Sequence, residues 1–303
     1  MERFSIITVC LNAQEQIGDT IVSVLSQTCM DFEYIIKDGV SKDGTVSIAQ
    51  SFAPAFAERG IPYRVITRPD KGIYDAMNQA AQEAQGEWVL YMNAGDLFAE
   101  KYVLEMVEKS GKLETADIVY GDAINRRDED GYFYRKAYPL ERMRDRLPFC
   151  HQSVFARKSL YDQLAYTLRY RLCSDYLFFY HWYQEGKTFA CLPIAISIYD
   201  RNGVSSNGRA VAQELLTIHE DMPVRDEETI QMLKKEVAGY DKKQPVFRRI
   251  WERLVPSQIR KKRRMRILRK KGWKTAEEFL LEKEKTAEGS TIHKNRGKSR
   301  KSI

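Results

Sequence analysis

Phe4-Ser5-Ile6-Ile7-Thr8-Val9 is followed, after a polar stretch, by Ile17, Ile21, Val24 and Leu25. The first run is a short apolar block of the kind that forms a buried strand, and the second set falls at i, i+4, i+7 and i+8, the stripe of an amphipathic helix. The pattern then repeats. Phe32 to Lys37 is a β-rich run closed by Asp38-Gly39, and Thr45 to Phe56 reads as one helix weakened at its end by Pro54. Tyr63 to Thr67 is a strand, Ile73, Met77, Ala80, Ala81 and Ala84 make a helical stripe, and Trp88 to Met92 is a further strand. Strands and helices alternating at this spacing predict a parallel sheet covered by helices on both faces. In such sheets ligands bind beyond the carboxyl ends of the strands. That singles out Cys10 to Glu15, Asp38 to Thr45, Arg68 to Tyr74 and Asn93 to Asp96.

After about Asp122 the alternation gives way to aromatic and arginine-rich segments, among them Gly131 to Tyr138 and Ser174 to Glu185. A second subregion laid against the sheet is expected. Its Tyr, Phe, Trp and His suit a wall that contacts sugars or a lipid-linked acceptor, although packing alone explains most of them. The chain of 303 residues has a net charge of +7, unevenly placed. From Lys242 to Ile303 there are 22 Lys and Arg against 6 Asp and Glu, a local balance of +16, which leaves residues 1–241 at −9. Within this tail Val246, Phe247, Ile250, Trp251 and Leu254 share one side of a helix, opposite Arg248, Arg249, Glu252 and Arg253. Residues 245–273 are therefore expected to lie on an anionic membrane surface; packing on the rest of the chain is a second reading, and nucleic acid is not the expected partner. No apolar run reaches the roughly 18 to 20 residues of a bilayer span, and no signal cleavage site is expected. The expected location is cytoplasmic, peripheral on the inner face of the plasma membrane. The five cysteines are scattered and never at CxxC spacing, so they read as reduced core residues without a disulfide or zinc role.

Candidate chemistry sits at the four strand ends. Thr8, Asn12 and Glu15 belong to the first, and Asp38-Gly39 opens the second, before Ser41-Lys42-Asp43-Gly44-Thr45. A carboxylate there can accept from the N–H groups of a nucleobase or from ribose hydroxyls. Asp-Gly is also ordinary turn chemistry, and Asp43-Gly44-Thr45 also reads as a turn with a helix N-cap. The third loop carries Arg68, Lys71 and Asp75, and the fourth carries Asn93 and Asp96. A carboxylate at the fourth can hold Mg²⁺ or Mn²⁺ against a diphosphate. Complementing a helix dipole is the plain alternative for Asp75, and a turn that for Asp96.

Taken in order, the motifs are more specific than any one of them. Thr8-Val9-Cys10-Leu11-Asn12 is followed by Asp38-Gly39-x-Ser41-x-Asp43-Gly44-Thr45, Lys71-Gly72-Ile73-Tyr74-Asp75-Ala76-Met77-Asn78 and Asn93-Ala94-Gly95-Asp96. His151-Gln152 before a strand and Cys173-Ser174-Asp175-Tyr176 opening a helix complete the set. This order resembles the family 2 glycosyltransferases of the GT-A fold, in the bacterial cell-surface polysaccharide branch similar to the colanic acid glycosyltransferases. The resemblance implies an α/β protein with a Rossmann-like mixed sheet flanked by helices and a helical basic tail. It further implies a nucleotide-diphospho-sugar donor, UDP first, an inverting transfer to a glycan or lipid-linked acceptor, and Mn²⁺ or Mg²⁺. Asp38 would meet the nucleotide base, Asp96 the metal, and Asp175 would act as catalytic base. Thr8, Asn12, Glu15, Gly39, Arg68, Lys71, Asp75 and Asn93 fall on the donor side, and His151 and Gln152 towards acceptor or phosphate.

This chain departs from the family pattern twice. Asn93 and Gly95 leave Asp96 as one carboxylate where the DxD motif often carries two or three, and Ser174-Asp175 stands where the base motif often reads Glu-Asp. An N-cap remains the alternative for Asp175, and a packing role that for His151. The expected organisation is a nucleotide-sugar-binding part over 1–122, an acceptor-binding part over 123–222 and the tail over 223–303. Two other functions compete. A sugar nucleotidyltransferase would want a Gly-rich basic loop where Leu11-Asn12-Ala13-Gln14 stands, and a catalytically silent membrane-surface module would not need Asp38, Asp96 and Asp175 together.

Overall fold

The computed structural model describes residues 2–127, 131–200 and 207–242, with Gly272, Lys274 and Glu278. The helix expected within 245–273 lies, Gly272 apart, outside the described residues. The chain forms two compact units, Met1–Ile124 with Arg135–Pro245, and Asn125–Tyr134 with Val246–Ile303. In the second, Tyr132 and Lys274 exchange backbone hydrogen bonds of 2.7 Å across an antiparallel bridge.

The strands are β1 (Phe4–Cys10), β2 (Phe32–Asp38), β3 (Tyr63–Thr67), β4 (Trp88–Tyr91), β5 (Leu97–Phe98), β6 (Ile118–Arg127), β7 (Gly131–Arg135), β8 (Val154–Arg157) and β9 (Phe189–Asp200). The sheet of the first unit runs β3-β2-β1-β4-β8-β6-β9-β5. Its first four strands are parallel neighbours. β8 is antiparallel to β4 and to β6, and β5 is antiparallel to β9. The sheet is thus mixed, as the resemblance implied: the parallel part read from the strand–helix alternation is β3-β2-β1-β4, and antiparallel strands complete it. Beyond Tyr91 the regular strand–helix alternation stops, and antiparallel pairing does not need the long crossovers that parallel pairing does.

The helices are α1 (Ile17–Leu25), α2 (Thr45–Ser51), α3 (Ala53–Glu58), α4 (Ile73–Glu83), α5 (Val103–Lys109), α6 (Lys158–Gln163), α7 (Ser174–Gln184), α8 (Gly208–Asp221) and α9 (Glu227–Lys242). β1, β2 and β4 are buried at every position, as strands covered on both faces must be. Ile7, Val9, Ile35, Val89 and Tyr91 share a core cluster with Tyr74, Met77, Ala80 and Ala81 of α4 and with Tyr176, Phe178, Phe179 and Trp182 of α7. Each large apolar side chain buried there contributes about 1.5–3 kcal/mol. At the opposite end of the strands, buried Glu33 accepts Ser5 Oγ at 2.6 Å, Gly86 N–H at 3.2 Å and Arg64 at 2.6 Å. Burial pushes that carboxyl up, but the bonds from Ser5, the Gln85 N–H and Arg64 outweigh it and hold it below its ordinary pKa. Only glycine fits at 86, where a Cβ would stand 2.6 Å from the Phe4 carbonyl carbon.

Three expectations are corrected. The helix over 45–56 is two helices broken at Phe52, and Pro54 sits in the first turn of α3, where its missing N–H costs nothing. At the start of α4 Tyr74 is buried in place of Ile73, which is 47% exposed. Cys10, Cys150 and Cys173 are core residues, but Cys29 is half-buried and Cys191 exposed, all five being free thiols. Cys191 faces outward on β9 beside buried Leu192, as strand alternation requires. Among the described residues no helix is long and apolar enough to cross a membrane.

Candidate active site

The carboxyl ends of the first strands stand level, Cys10 opposite Asp38 and Asp38 opposite Thr67. Asp38 is fully buried and turned into its own loop. Its Oδ2 accepts the N–H groups of Val40 and Ser41 at 2.8 and 2.9 Å, and its Oδ1 takes the Ser41 hydroxyl. These bonds hold Val40 at φ 69°, a region that β-branched residues rarely adopt. Asn12, at φ 51°, ties the first loop to the second: its Oδ1 accepts Lys42 N–H at 2.8 Å and its own N–H donates to Ser41 Oγ at 2.7 Å. Glu15 is exposed. Thr8 is enclosed, its hydroxyl 2.6 Å from Met92 O and 2.8 Å from Tyr34 OH, so it braces β1 against β4 and presents no surface.

Lys37 and Asp70 were not singled out from the sequence. The Lys37 side chain is 1% exposed, and its Nζ donates to Asp70 Oδ2 at 2.8 Å, Arg68 O at 2.7 Å and Asp38 O at 3.1 Å. The third loop is thereby pinned to the end of β2. Gly39 leaves room for it, since a Cβ there would meet Asp70 Oδ2 at 2.8 Å. The one sequence signal was a charged residue within the apolar run of β2. The Arg68 guanidinium pairs with Glu83. Asp75 caps the start of α4, its Oδ2 accepting Lys71 N–H at 2.8 Å and Gln79 Nε2 at 3.2 Å, while the Lys71 side chain is exposed.

Asn93 and Asp96 close a tight turn, the Asp96 N–H donating to Asn93 O at 2.9 Å. Asp96 is 4% exposed, and its Oδ1 accepts the N–H of Asp200 at 2.9 Å. Asp200 Oδ2 lies 3.7 Å from the place a Gly95 Cβ would take. The Asp200 backbone, 104 residues away in the chain, is thereby held on Asp96 with its carboxylate beside Gly95, and no local pattern announced it. Asn93 Oδ1 is buried without a hydrogen-bond partner. Among the described residues no three His, Cys, Asp or Glu side chains could enclose a metal. Asp96, Asp200 and Asn93 offer oxygen donors only, the ligand type that suits a hard divalent cation.

The start of α7 is fixed from α8. Glu214 accepts the N–H groups of Arg171, Leu172 and Cys173 at 2.8, 2.6 and 2.7 Å, and Ser174 Oγ turns inward to Tyr170 O at 3.0 Å. Asp175 is not the N-cap; Cys173 is. The Asp175 Oδ1 accepts the Tyr74 hydroxyl at 2.9 Å and Tyr176 N–H at 2.9 Å, and its Oδ2 has no hydrogen-bond partner among the described residues. Tyr74 went unnoticed because Ile73 was given its place in the helical stripe. Tyr74, Met77 and Ala81 follow at i, i+3 and i+7, the spacing that would have found it.

His151 is buried, with Nε2 2.8 Å from Tyr166 OH and its ring stacked on Tyr91 at 5.4 Å. Burial holds its pKa below the ordinary value against the pull of Asp175, so the ring is neutral. Gln152 accepts the Cys150 thiol at 3.0 Å. Burial pushes that thiol up to about 11 against the charge of Arg135, and the carboxylates of Asp96 and Asp175 both add to the rise. Cys150 and Gln152 are in direct contact, and the charges of Asp96 and Asp175 both act on this thiol. Thr8, Arg68 and Asp75 are committed to other partners.

Residues 5–183 match the family model described as Glycosyl transferase family 2. The chain belongs to that family. It is 38% identical over 177 residues to a PGL/p-HBAD biosynthesis glycosyltransferase of Mycobacterium bovis, a match covering 58% of this chain and 67% of the relative. The fold is similar to that of a Pyrobaculum calidifontis mannosyltransferase solved with GDP-Man and Mn²⁺, at TM-score 0.57 and 17% identity, covering 78% of this chain and 69% of that one. It is also similar to residues 1–349 of S. aureus TarS solved with UDP-GlcNAc, at TM-score 0.53 and 14% identity, covering 76% and 70%. At such identities these two structures bear on the fold alone, and the fold is GT-A. A family 2 glycosyltransferase leaves no place for the nucleotidyltransferase reading.

Proposed function

We propose that the enzyme moves a glycosyl group from a nucleotide-diphospho-sugar, a UDP-sugar first, to a glycan or lipid-linked acceptor in cell-surface polysaccharide synthesis, with inversion at the anomeric carbon. The observation that carries the proposal is Asp175, fixed at a helix start with one oxygen bonded and the other without a hydrogen-bond partner among the described residues. Asp175 Oδ2 takes the proton of the acceptor hydroxyl as that oxygen bonds to the anomeric carbon. The bond from this carbon to the diphosphate breaks on the opposite face, and its electron pair leaves with the nucleoside diphosphate through an oxocarbenium-like state. The level ends of β1 and β2 with the Arg68–Gly72 loop receive the nucleoside, and exposed Lys71 meets the diphosphate. Asp96, Asn93 and Asp200 hold Mn²⁺ or Mg²⁺, which when bound offsets the charge of the leaving diphosphate. Residues 1–122 serve the donor, 123–222 the acceptor, and 245–273 the membrane surface. The UDP-GlcNAc and GDP-Man complexes of the similarly folded proteins support the donor class.

A thermal-shift and hydrolysis screen of UDP-, GDP- and dTDP-sugars, with and without Mn²⁺, on wild type and Asp96→Ala tests this reading. A UDP-sugar at about 100 times its dissociation constant should stabilise the fold by about 2.7 kcal/mol, dependent on Mn²⁺ and lost in Asp96→Ala. If no donor stabilises the folded protein, the silent-module reading returns.

A further inference from the structure

Tyr74 is 8% exposed and carries its hydroxyl across to a residue 101 positions later. The contact joins the first turn of α4 to the first turn of α7, the two helices that bring the third loop and Asp175 together. The ring is held apart from the hydroxyl's partner, 5.4 Å from the ring of Tyr166, which in turn bonds His151. Burial first, and the Asp175 carboxylate next, push the Tyr74 hydroxyl well above its ordinary pKa, so it stays protonated and can only donate to the carboxylate. A carboxylate has two oxygens and free rotation about its Cβ–Cγ bond. With Tyr74 O–H and Tyr176 N–H both on Oδ1, that rotation is blocked and Oδ2 alone is presented.

We propose that Tyr74 is a positioning residue for transfer: its hydroxyl fixes the Asp175 carboxylate so that Oδ2 meets the acceptor hydroxyl. This rests on Asp175 being the base. A misdirected base leaves donor binding intact and lowers the rate of the chemical step, because reacting atoms must meet within narrow limits of distance and angle. The effect belongs to kcat and not to KM.

The test is Tyr74→Phe in the full chain, which keeps the ring and its packing and deletes only the donor. Transfer is followed with radiolabelled donor, UDP binding by calorimetry, and folding by thermal midpoint. The account expects kcat to fall by about 10- to 100-fold, with the UDP dissociation constant and acceptor KM within about twofold and the thermal midpoint little changed. Unchanged kcat overturns the inference, as does a loss confined to KM or to UDP affinity. Asp175→Asn and the double variant separate this inference from the reading beneath it. If Asp175→Asn keeps full turnover, the base assignment itself has failed. If Asp175→Asn is impaired and Tyr74→Phe is as fast as wild type, the base stands and the role of Tyr74 has failed. Where both single variants are impaired, the double variant should be no slower than Asp175→Asn, and a full second loss would place Tyr74 in a separate step.

Discussion

The Lys37 ammonium, buried at the end of β2, has three oxygen partners and one of them is charged. A buried pair of this kind adds little net stability over an apolar substitute, but removing one partner leaves the other charge uncompensated. Lys37→Met is therefore expected to lower unfolding free energy by about 3–5 kcal/mol, and adding Asp70→Asn should restore part of it. Chemical denaturation of the two variants measures this; a loss below about 1 kcal/mol for the single variant would contradict the clamp. Val40 belongs to the same corner. Its φ of 69° is maintained by the Asp38 carboxylate, so the aspartate that the resemblance puts on the nucleobase also shapes the loop, and its replacement would disturb both. Among the sequence candidates, Asp175 meets Tyr74 and Asp96 meets the Asp200 N–H, partners from distant parts of the chain. The Thr8 hydroxyl is engaged inside the sheet, with Met92 O and Tyr34 OH.

At the level of elements, the strands with a single local signature were legible. β3 was read as Tyr63 to Thr67, the bounds it has, and β1 and β2 differ by one residue at their ends. Their apolar runs and bounding polar residues suffice, and for β1 and β2 burial on both faces leaves no ambiguity of side. The helix broken at Phe52 was misread because Pro54 weakens a helix interior and suits a helix start, and only the tertiary course of the chain decides between them. The half of the sheet beyond β4 was not legible. β8 lies between β4 and β6, and β5 pairs with β9 about a hundred residues later; neighbours so chosen leave no periodic trace. The site shows the same division. Asp38, Asp96 and Asp175 are visible as motif residues, whereas Asp200 beside Asp96 and Tyr74 against Asp175 exist only once distant elements meet.

For the molecule as a whole, charge asymmetry is the feature that the described residues do not absorb. Residues 1–241 carry −9 and residues 242–303 +16, the asymmetry on which the proposed membrane-surface role rests. Removing residues 243–303 should lower co-sedimentation with anionic vesicles and spare donor hydrolysis; unchanged vesicle binding would end the membrane proposal. The central claim is that one carboxylate performs the proton transfer of an inverting glycosyl transfer. The most direct measurement is steady-state transfer alongside donor binding for wild type and Asp175→Asn, which keeps the shape of the side chain and removes its basicity. The account predicts donor affinity within about twofold and transfer reduced by about 10²- to 10⁴-fold. Turnover at the wild-type rate in Asp175→Asn would contradict it.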